Sequence, residues 1–451
     1  MALLDPTSWQ PRPLKGGEHT VTEPATGEAL GTVALAAAED VAPAAEAARA
    51  AQTEWARLPH FVRAGVLRRA GDLFTAHADE LRAWLVRESG SIPGKADFEL
   101  HVAAQECYEA AALASRPAGQ VLPSEAPRLS YTRRVPVGVV GVIAPFNAPL
   151  ILSIRSVAPA LALGNGVVLK PDPRTAVCGG LSLAAVFAEA GLPEGLLHVL
   201  PGGAETGAAL VADPRVPVIS FTGSEKVGYA IMDSVPRKHC TLELGGNGAA
   251  VVLGDWASDE DLDWAATRIA TFSNYQGGQS CISVQRVIAD ASVHCIRDRV
   301  SEDAAKRVEA WVQEAVEAGA ALLTGGKRDG AAYAPTVLTD LPAGTTLACE
   351  EVFGPVLSVQ KVDGEAAAFA AVNDSKYGLQ AGVFTHDLQA AFRAHRALEV
   401  GGVVIGDVPS YRADQMPYGG AKQSGVGREG VRFAMDDYTY ERVLVLTGLA
   451  L

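Results

Sequence analysis

The chain has 451 residues, 48% of them hydrophobic and 20% charged, which is enough for about two or three domains with a substantial core and argues against disorder. Lys plus Arg number 38 against 52 Asp plus Glu, and the net charge of −14 disfavours nucleic acid and anionic membranes, both of which select a basic face. No apolar run is long enough to span a bilayer, and Met1 to Leu14 shows no charged-then-apolar leader, so the expected partner is a small molecule, with no nucleic acid and no membrane.

In chain order, the first third reads helical. Glu39 to Leu58 is alanine-rich, Val62 to Glu88 carries leucines at helical spacing among charges, and Lys95 to Ala114 follows. Gly119 to Val137 is a polar stretch broken by prolines, with a strand at Leu129 to Arg134; it reads as an edge or interface arm, and a surface hairpin accounts for it as well. From Gly138 the pattern changes. Apolar strands at Gly138 to Ala144, Val167 to Lys170, Leu196 to Leu200, Val218 to Phe221 and Thr241 to Leu244 enclose helices at Leu150 to Leu163, Ala176 to Ala190 and Glu225 to Asp233. Short continuous apolar strands alternating with helices predict a parallel, doubly wound α/β sheet covered on both faces. A second α/β unit follows. Its helices are predicted at Asp259 to Phe272 and Asp303 to Ala318, and its strands at Arg286 to Ala289 and Ala321 to Leu323; further segments at Gly354 to Val362, Ala366 to Val372, Ala381 to Phe384 and Gln389 to Leu398 complete the unit. Tyr438 to Thr447 reads as a strand that pairs outside its own domain.

Six cysteines, Cys107, Cys178, Cys240, Cys281, Cys295 and Cys349, are spread without any Cys-x-x-Cys pair, as expected for reduced thiols in a cytoplasmic protein; no metal site is expected, since His294 and Cys295 lack a second ligand cluster. Cys281 differs from the others by its setting, Gly277-Gly278-Gln279-Ser280-Cys281. Glycines there let backbone approach a ligand and bring a thiol out of a loop. A free thiol is mostly protonated at neutral pH, so a nucleophilic cysteine needs help from a base or dipoles. Glu243 sits in an apolar strand that ends at Gly245 and Gly246, an unusual place for a carboxylate, which suits a functional group and equally a capping or paired acid. Asn147, between Pro145 and Pro149, is placed either to donate to an oxyanion or simply to make a turn. The usual Gly-x-Gly-x-x-Gly after the first strand is absent. Instead Phe221-Thr222-Gly223-Ser224 precedes a helix containing Gly228, an arrangement that suits a phosphate and equally an ordinary serine N-cap.

Together these motifs resemble the aldehyde dehydrogenase superfamily over nearly the whole chain. The carriers are Ala144-Pro145-Phe146-Asn147, Leu169-Lys170-Pro171, Phe221-Thr222-Gly223-Ser224, Leu242-Glu243-Leu244-Gly245-Gly246, Gly278-Gln279-Ser280-Cys281, Glu350-Glu351-Val352-Phe353-Gly354-Pro355 and Pro417-Tyr418-Gly419-Gly420, all in family order. The resemblance implies an aldehyde-dehydrogenase-like α/β fold, with a dinucleotide-binding domain (1–120 and 139–246), a catalytic domain (247–430) and a β oligomerisation arm (121–138 and 431–451). It implies oxidation of an aldehyde to its acid with NAD or NADP, by a homodimer or homotetramer. Cys281 would form a thiohemiacetal and then a thioester, Asn147 and the Cys281 amide would hold the oxyanion, and Glu243 would activate water. Lys170 would hold the adenosine ribose, Ser224 the pyrophosphate and Glu351 the nicotinamide ribose. Phe353 would lie beside the nicotinamide, while Ala144, Phe146, Gly203, Phe221, Gly223, Gly228 and Leu244 would line the dinucleotide.

The sequence departs from the family pattern in two places. NAD-selective relatives often carry a glutamate three residues after the lysine, where this chain has Pro173; NAD is favoured here without that carboxylate. After the strand ending at Asp290, relatives have a helix and a loop, where this chain has only Ala291 to Val300; apolar sheet surface would then be exposed or covered by a neighbour. The substrate signals also diverge. Pro149 to Pro159 and Lys170 to Gly180 resemble the benzaldehyde and vanillin dehydrogenase branch, whereas Cys281 to Arg286 and Val408 to Pro417 resemble branches acting on small polar or anionic aldehydes such as lactaldehyde or a semialdehyde. Arg155 and Arg412 either meet such an anion or make internal contacts. An aromatic aldehyde is the first expectation. A non-catalytic nucleotide-binding relative and an enzyme passing the acyl group to coenzyme A are the alternatives, the latter disfavoured by the presence of Glu243.

Overall fold

The computed structural model describes residues 3–4, 14–116, 119–125, 127–290, 302–330 and 332–448. The chain divides into two compact units, Met1–Leu242 with Ala413–Pro417 and Gly427–Leu451, and Glu243–Arg412 with Tyr418–Val426. The second unit begins at Glu243, and the turn after it is tied to second-unit groups: Glu351 accepts from the Gly246 amide and Gln285 donates to the Gly246 carbonyl. The arm belongs to the first unit, because its root residues Val431, Ala434, Met435 and Tyr438 are buried in that unit's core.

The first unit is built on the strands His239–Glu243, Val218–Thr222, Val139–Ile143, Gly166–Lys170 and Leu197–Val199, adjacent in that order. Val139–Ile143 pairs in parallel with both neighbours, and Gly166–Lys170 with Leu197–Val199. Every residue of Val139–Ile143 is buried, as a strand covered on both faces must be. The helix Pro149–Ala162 is buried along its whole length, and Trp55 donates its indole N–H to Leu161 O at 2.8 Å. The arm is a three-stranded antiparallel sheet in which Thr439–Thr447 pairs with Arg128–Pro136, and that strand with Val121–Leu122.

Several predicted elements change at their ends or divide. The single helix expected over Val62 to Glu88 is two, His60–Ala76 and Ala78–Ser89. His77 ends one and starts the next (φ −102°, ψ 20°), with its ring near Glu80 and Glu189; the leucine spacing continues across the break and so conceals it. Ala176 to Ala190 is a π turn, Val177–Leu181, leading into the helix Ser182–Glu189, with buried Glu88 accepting from the amides of Val177 and Cys178 at 2.9 and 2.6 Å. The hairpin Glu18–Thr22/Ala29–Ala34, the helix Ala204–Ala212 and the strands Gly248–Val252 and Gly402–Ile405 were not anticipated.

The second unit holds a seven-stranded sheet ordered Ala321–Thr324, Thr336–Thr339, Val356–Val362, Val284–Asp290, Gly248–Val252, Gln380–Phe384 and Gly402–Ile405. Only its first pair is antiparallel. The shortened stretch after Asp290, with His294 and Cys295, lies outside the described residues. A cavity of about 890 Å³ borders the strands on either side of Val356–Val362, and Arg286, Leu323, Val337, Ser358 and Gln360 are among its lining, a mixed polar and apolar surface.

One buried ion pair fixes the loop that carries Asn147. Lys95 and Glu99, on the helix Pro93–Leu113, are in contact and almost fully buried. The second oxygen of Glu99 accepts from the amides of Leu150 and Ile151, at 3.1 and 3.4 Å. These amides open the helix that begins two residues after Asn147, a helix with no side-chain cap of its own. Removing one partner of a buried pair costs about 3–5 kcal/mol, because the remaining charge is stranded. Glu99→Gln is therefore expected to lower the unfolding free energy read from a urea titration by a margin of that order, and so its midpoint, and Lys95→Met combined with Glu99→Met to recover much of the loss. An unchanged midpoint in the single variant would show that the pair does not hold this loop.

Candidate active site

In the second unit the local sequence makes an unusual loop. After the helix Asp259–Asn274, three consecutive residues, Gln276, Gly277 and Gly278, adopt positive φ (53°, 64° and 73°). A Cβ at Gly278 would stand 2.3 Å from Gly354 O, so only glycine fits there. The turn delivers Cys281, half-buried, just before the strand Val284–Asp290. Ser283 Oγ donates to Phe272 O at 3.0 Å and ties the loop back to the helix. Gly246 packs on the same segment, where a Cβ would lie 2.3 Å from Cys281 O.

Glu243 is buried at the end of its strand and close enough for its charge to act on Cys281. Glu351 Oε1 accepts from the Gly246 amide at 3.1 Å, and a Cβ at Gly245 would strike the Glu351 carboxylate. Gln285 bridges the two segments, donating to Gly246 O and accepting from the Val352 amide, each at 2.9 Å. Phe353 holds a positive φ of 46°, and the Arg307 guanidinium donates to the carbonyls of Val352 and Phe353 beside it. The buried Leu244 donates its amide to Ser424 O at 3.1 Å.

Two side chains surround Cys281: Tyr418, to which the sequence reading gave no role, and Arg412, which it considered for an anionic substrate or an internal contact. The Tyr418 hydroxyl stands 3.5 Å from Cys281 Sγ, and the Arg412 guanidinium lies 4.0 Å from the centre of the Tyr418 ring. Burial pushes the Cys281 thiol up to about 11; the Tyr418 contact and Arg412 act against this, while the charges of Glu351 and Glu243 add to it. Arg155, the other arginine considered for an anionic substrate, is instead buried against Glu106 at 3.4 Å. The remaining described cysteines are free thiols; Cys107, Cys178 and Cys240 are buried and Cys349 is exposed.

The first unit places the other named residues at the carboxyl ends of its strands. Ala144 donates its amide to Lys170 O at 3.1 Å, and Asn147 is buried in the following loop. Phe146 lies under the Arg174 guanidinium, 3.8 Å from the ring centre, and Arg174 in turn makes a two-point ion pair with Asp172 at 2.9 and 2.7 Å. Burial holds the Lys170 ammonium below its ordinary range. Gly203 is the N-cap of Ala204–Ala212, and a Cβ there would meet nothing within 4 Å. Gly223 has no room for a side chain, because the Phe221 ring folds to within 2.6 Å of its Cβ direction. Ser224 is the N-cap of the ten-residue helix Glu225–Ser234 and its carbonyl accepts from Gly228, yet its hydroxyl is not spent on capping. A helix N-terminus with an uncommitted hydroxyl at the end of a parallel strand suits a pyrophosphate, so these residues fit a dinucleotide. Among the described residues, no group of three or more His, Cys, Asp or Glu is placed to hold a metal.

This architecture, with a cysteine on a glycine turn beside a strand-end glutamate, defines a class. The sequence pattern of the aldehyde dehydrogenase family matches residues 12–296 and 299–444, and the chain belongs to that family: it is an oxidoreductase acting on the aldehyde group with NAD or NADP. Among its relatives is the vanillin dehydrogenase of an Amycolatopsis species, 47% identical over 483 positions and 99% of each chain. Those positions exceed the 451 residues here, so at least 483 − 451 = 32 of them face gaps in this chain. The 3-sulfolactaldehyde dehydrogenase of Priestia megaterium is 41% identical over 86% of each chain. The crystal structure of aldehyde dehydrogenase 21 from Physcomitrella patens in complex with succinate superposes with a TM-score of 0.91, at 33% identity over 98% of each chain. Among the described residues no helix is long and apolar enough to cross a membrane.

Proposed function

We propose that this chain oxidises an aromatic aldehyde of the benzaldehyde and vanillin kind to its carboxylic acid, with Cys281 as nucleophile, Glu243 as base and Asn147 as oxyanion donor. The observation that carries this reading is the pairing of Cys281 with Glu243 in one unit, the thiol on a strained glycine turn and the carboxylate buried within electrostatic reach of it. Cys281 adds to the aldehyde carbon, and its own amide and the Asn147 side chain stabilise the oxyanion of the thiohemiacetal. NAD(P), when bound, supplies the hydride acceptor. Glu243 then takes a proton from water, which attacks the Cys281 thioester and releases the acid. The aromatic preference is supported by the 47% identity to a vanillin dehydrogenase.

In the first unit, Lys170 would hold the adenosine ribose and Ser224 with Gly223 and Gly228 the pyrophosphate, lined by Ala144, Phe146, Gly203 and Phe221. In the second, Glu351, Phe353 and Leu244 would receive the nicotinamide end. NAD is the preferred cofactor: the ribose hydroxyls ask only for Lys170, whereas a 2′-phosphate asks for a second cation, and Arg174 is already engaged by Asp172. Through the arm strand Thr439–Thr447, exposed at Val443, Leu444 and Val445, the chain would form a homodimer or homotetramer. The unpaired thiols suit a cytoplasmic setting.

A second reading, a small anionic aldehyde, is favoured by Arg412 close to the Cys281 cluster and by the sulfolactaldehyde relative. NAD(P)H absorbance with benzaldehyde, vanillin, lactaldehyde and a semialdehyde, each with NAD and with NADP, separates the two. Turnover on the aromatic pair, faster with NAD, is the expected result. Turnover restricted to the small aldehydes would replace the first reading by the second. Nucleotide binding with no turnover on any aldehyde would return the chain to the non-catalytic alternative.

A further inference from the structure

We propose that Tyr418 is a further catalytic residue: its phenol donates a hydrogen bond to the Cys281 sulfur, and the Arg412 guanidinium stacked on its ring strengthens that donor. The inference rests on the reading of Cys281 as nucleophile and adds to it the group that prepares the sulfur for attack.

The geometry is specific. Tyr418 Oη lies 3.5 Å from Cys281 Sγ, within hydrogen-bond range for sulfur, and the tyrosine is only 3% exposed. The two residues are 137 positions apart, so the fold alone brings them together. Burial holds the phenol well above its ordinary range, which keeps its proton in place and makes it a donor rather than an anion. A thiolate has no proton to give, so in the reactive form the bond runs one way, from O–H to sulfur. Arg412 sits over the phenol ring at 4.0 Å, where its positive charge favours electron density moving towards the ring and loosens the O–H proton.

The need for such a donor follows from the other charges around the sulfur. Burial removes water that would otherwise solvate a thiolate, and the charges of Glu351 and Glu243 act on Cys281 in the same direction. All three oppose ionisation. Tyr418 and Arg412 are the neighbours that favour it. A thiolate formed here is a strong nucleophile because little else solvates it, provided that one directed donor makes it accessible.

The test reads Cys281 itself, without substrate. The rate of alkylation by iodoacetamide is followed between neutral and alkaline pH in the full-length protein, by mass spectrometry of the Cys281 peptide so that the exposed Cys349 does not contribute. Tyr418→Phe is expected to move the pH course upward and to slow alkylation at pH ~8 by about tenfold, the thiolate loss that one pH unit represents. A ring-fluorinated tyrosine at 418, whose phenol is a stronger donor of the same shape, is expected to move the course downward. Arg412→Gln is expected to follow Tyr418→Phe with a smaller shift. A Tyr418→Phe curve that superposes on the parent's overturns the proposal. Should that variant not fold, the fluorinated protein decides alone: a downward shift supports the donor role, and no shift or an upward one refutes it. Because no turnover is measured, a failure here is distinct from a failure of Cys281 as nucleophile, which full turnover by Cys281→Ala would reveal.

Discussion

Cys281→Ala is expected to abolish aldehyde oxidation, lowering kcat by roughly 10⁴–10⁶-fold, the scale seen when a covalent nucleophile is removed. The alanine keeps the loop, because what shapes it lies elsewhere: Gln276, Gly277 and Gly278 supply the left-handed turn, and Ser283 ties it to the preceding helix. Nucleotide binding should survive, since Lys170, proposed for the adenosine ribose, closes a strand of the first unit and Ser224, proposed for the pyrophosphate, caps a helix of the same unit. The result to look for is NAD affinity near the parent's with NADH production at the assay background. Normal turnover on any aldehyde that the parent oxidises would end the covalent mechanism and, with it, the role given to Glu243.

Glu243→Gln separates the two halves of the reaction. Acylation needs the Cys281 sulfur, an oxyanion site and a hydride acceptor, none of which the substitution removes. Hydrolysis of the thioester needs a base, and positioned bases typically contribute about 10²–10⁴-fold. The expected record is a rapid burst of about one NADH per active site, followed by a steady rate lower by about that factor. The sign of the electrostatics reinforces the contrast. The Glu243 charge pushes the Cys281 thiol up, so its removal leaves more thiolate at a given pH and the burst should not slow. Mass spectrometry after the burst should find the acyl group on Cys281. An unchanged steady rate would show that another group activates the water.

The parts of this protein legible in its sequence are those that local pattern carries. Val139–Ile143 and Gly166–Lys170 are wholly or nearly wholly buried strands and read as short apolar runs because, Lys170 apart, their residues are shielded from water. The helix Glu225–Ser234 was placed to within a residue by the glycine and serine before it. The break at His77 was not legible, since the apolar spacing of the two helices runs through it. Nor was the strand Gly248–Val252, a run of small residues directly after the Glu243 motif, which reads as part of the loop.

By itself the sequence determined which reactive groups exist and the order in which they come: a cysteine after glycines, a glutamate at a strand end, an asparagine between prolines, and a lysine closing a strand. Backbone requirements force these signals, because a left-handed turn selects glycine and a buried strand selects apolar residues, whatever the rest of the chain does. Only the tertiary structure decided which side chains those groups meet. Tyr418 reaches Cys281 across 137 positions, Glu99 reaches the amides of Leu150 and Ile151 across about 51, and Arg155 finds Glu106 rather than a substrate anion. Each contact joins distant segments whose separation in sequence places no constraint on residue type, and each sets the protonation or position of a group through burial and charge that exist only once the core has closed.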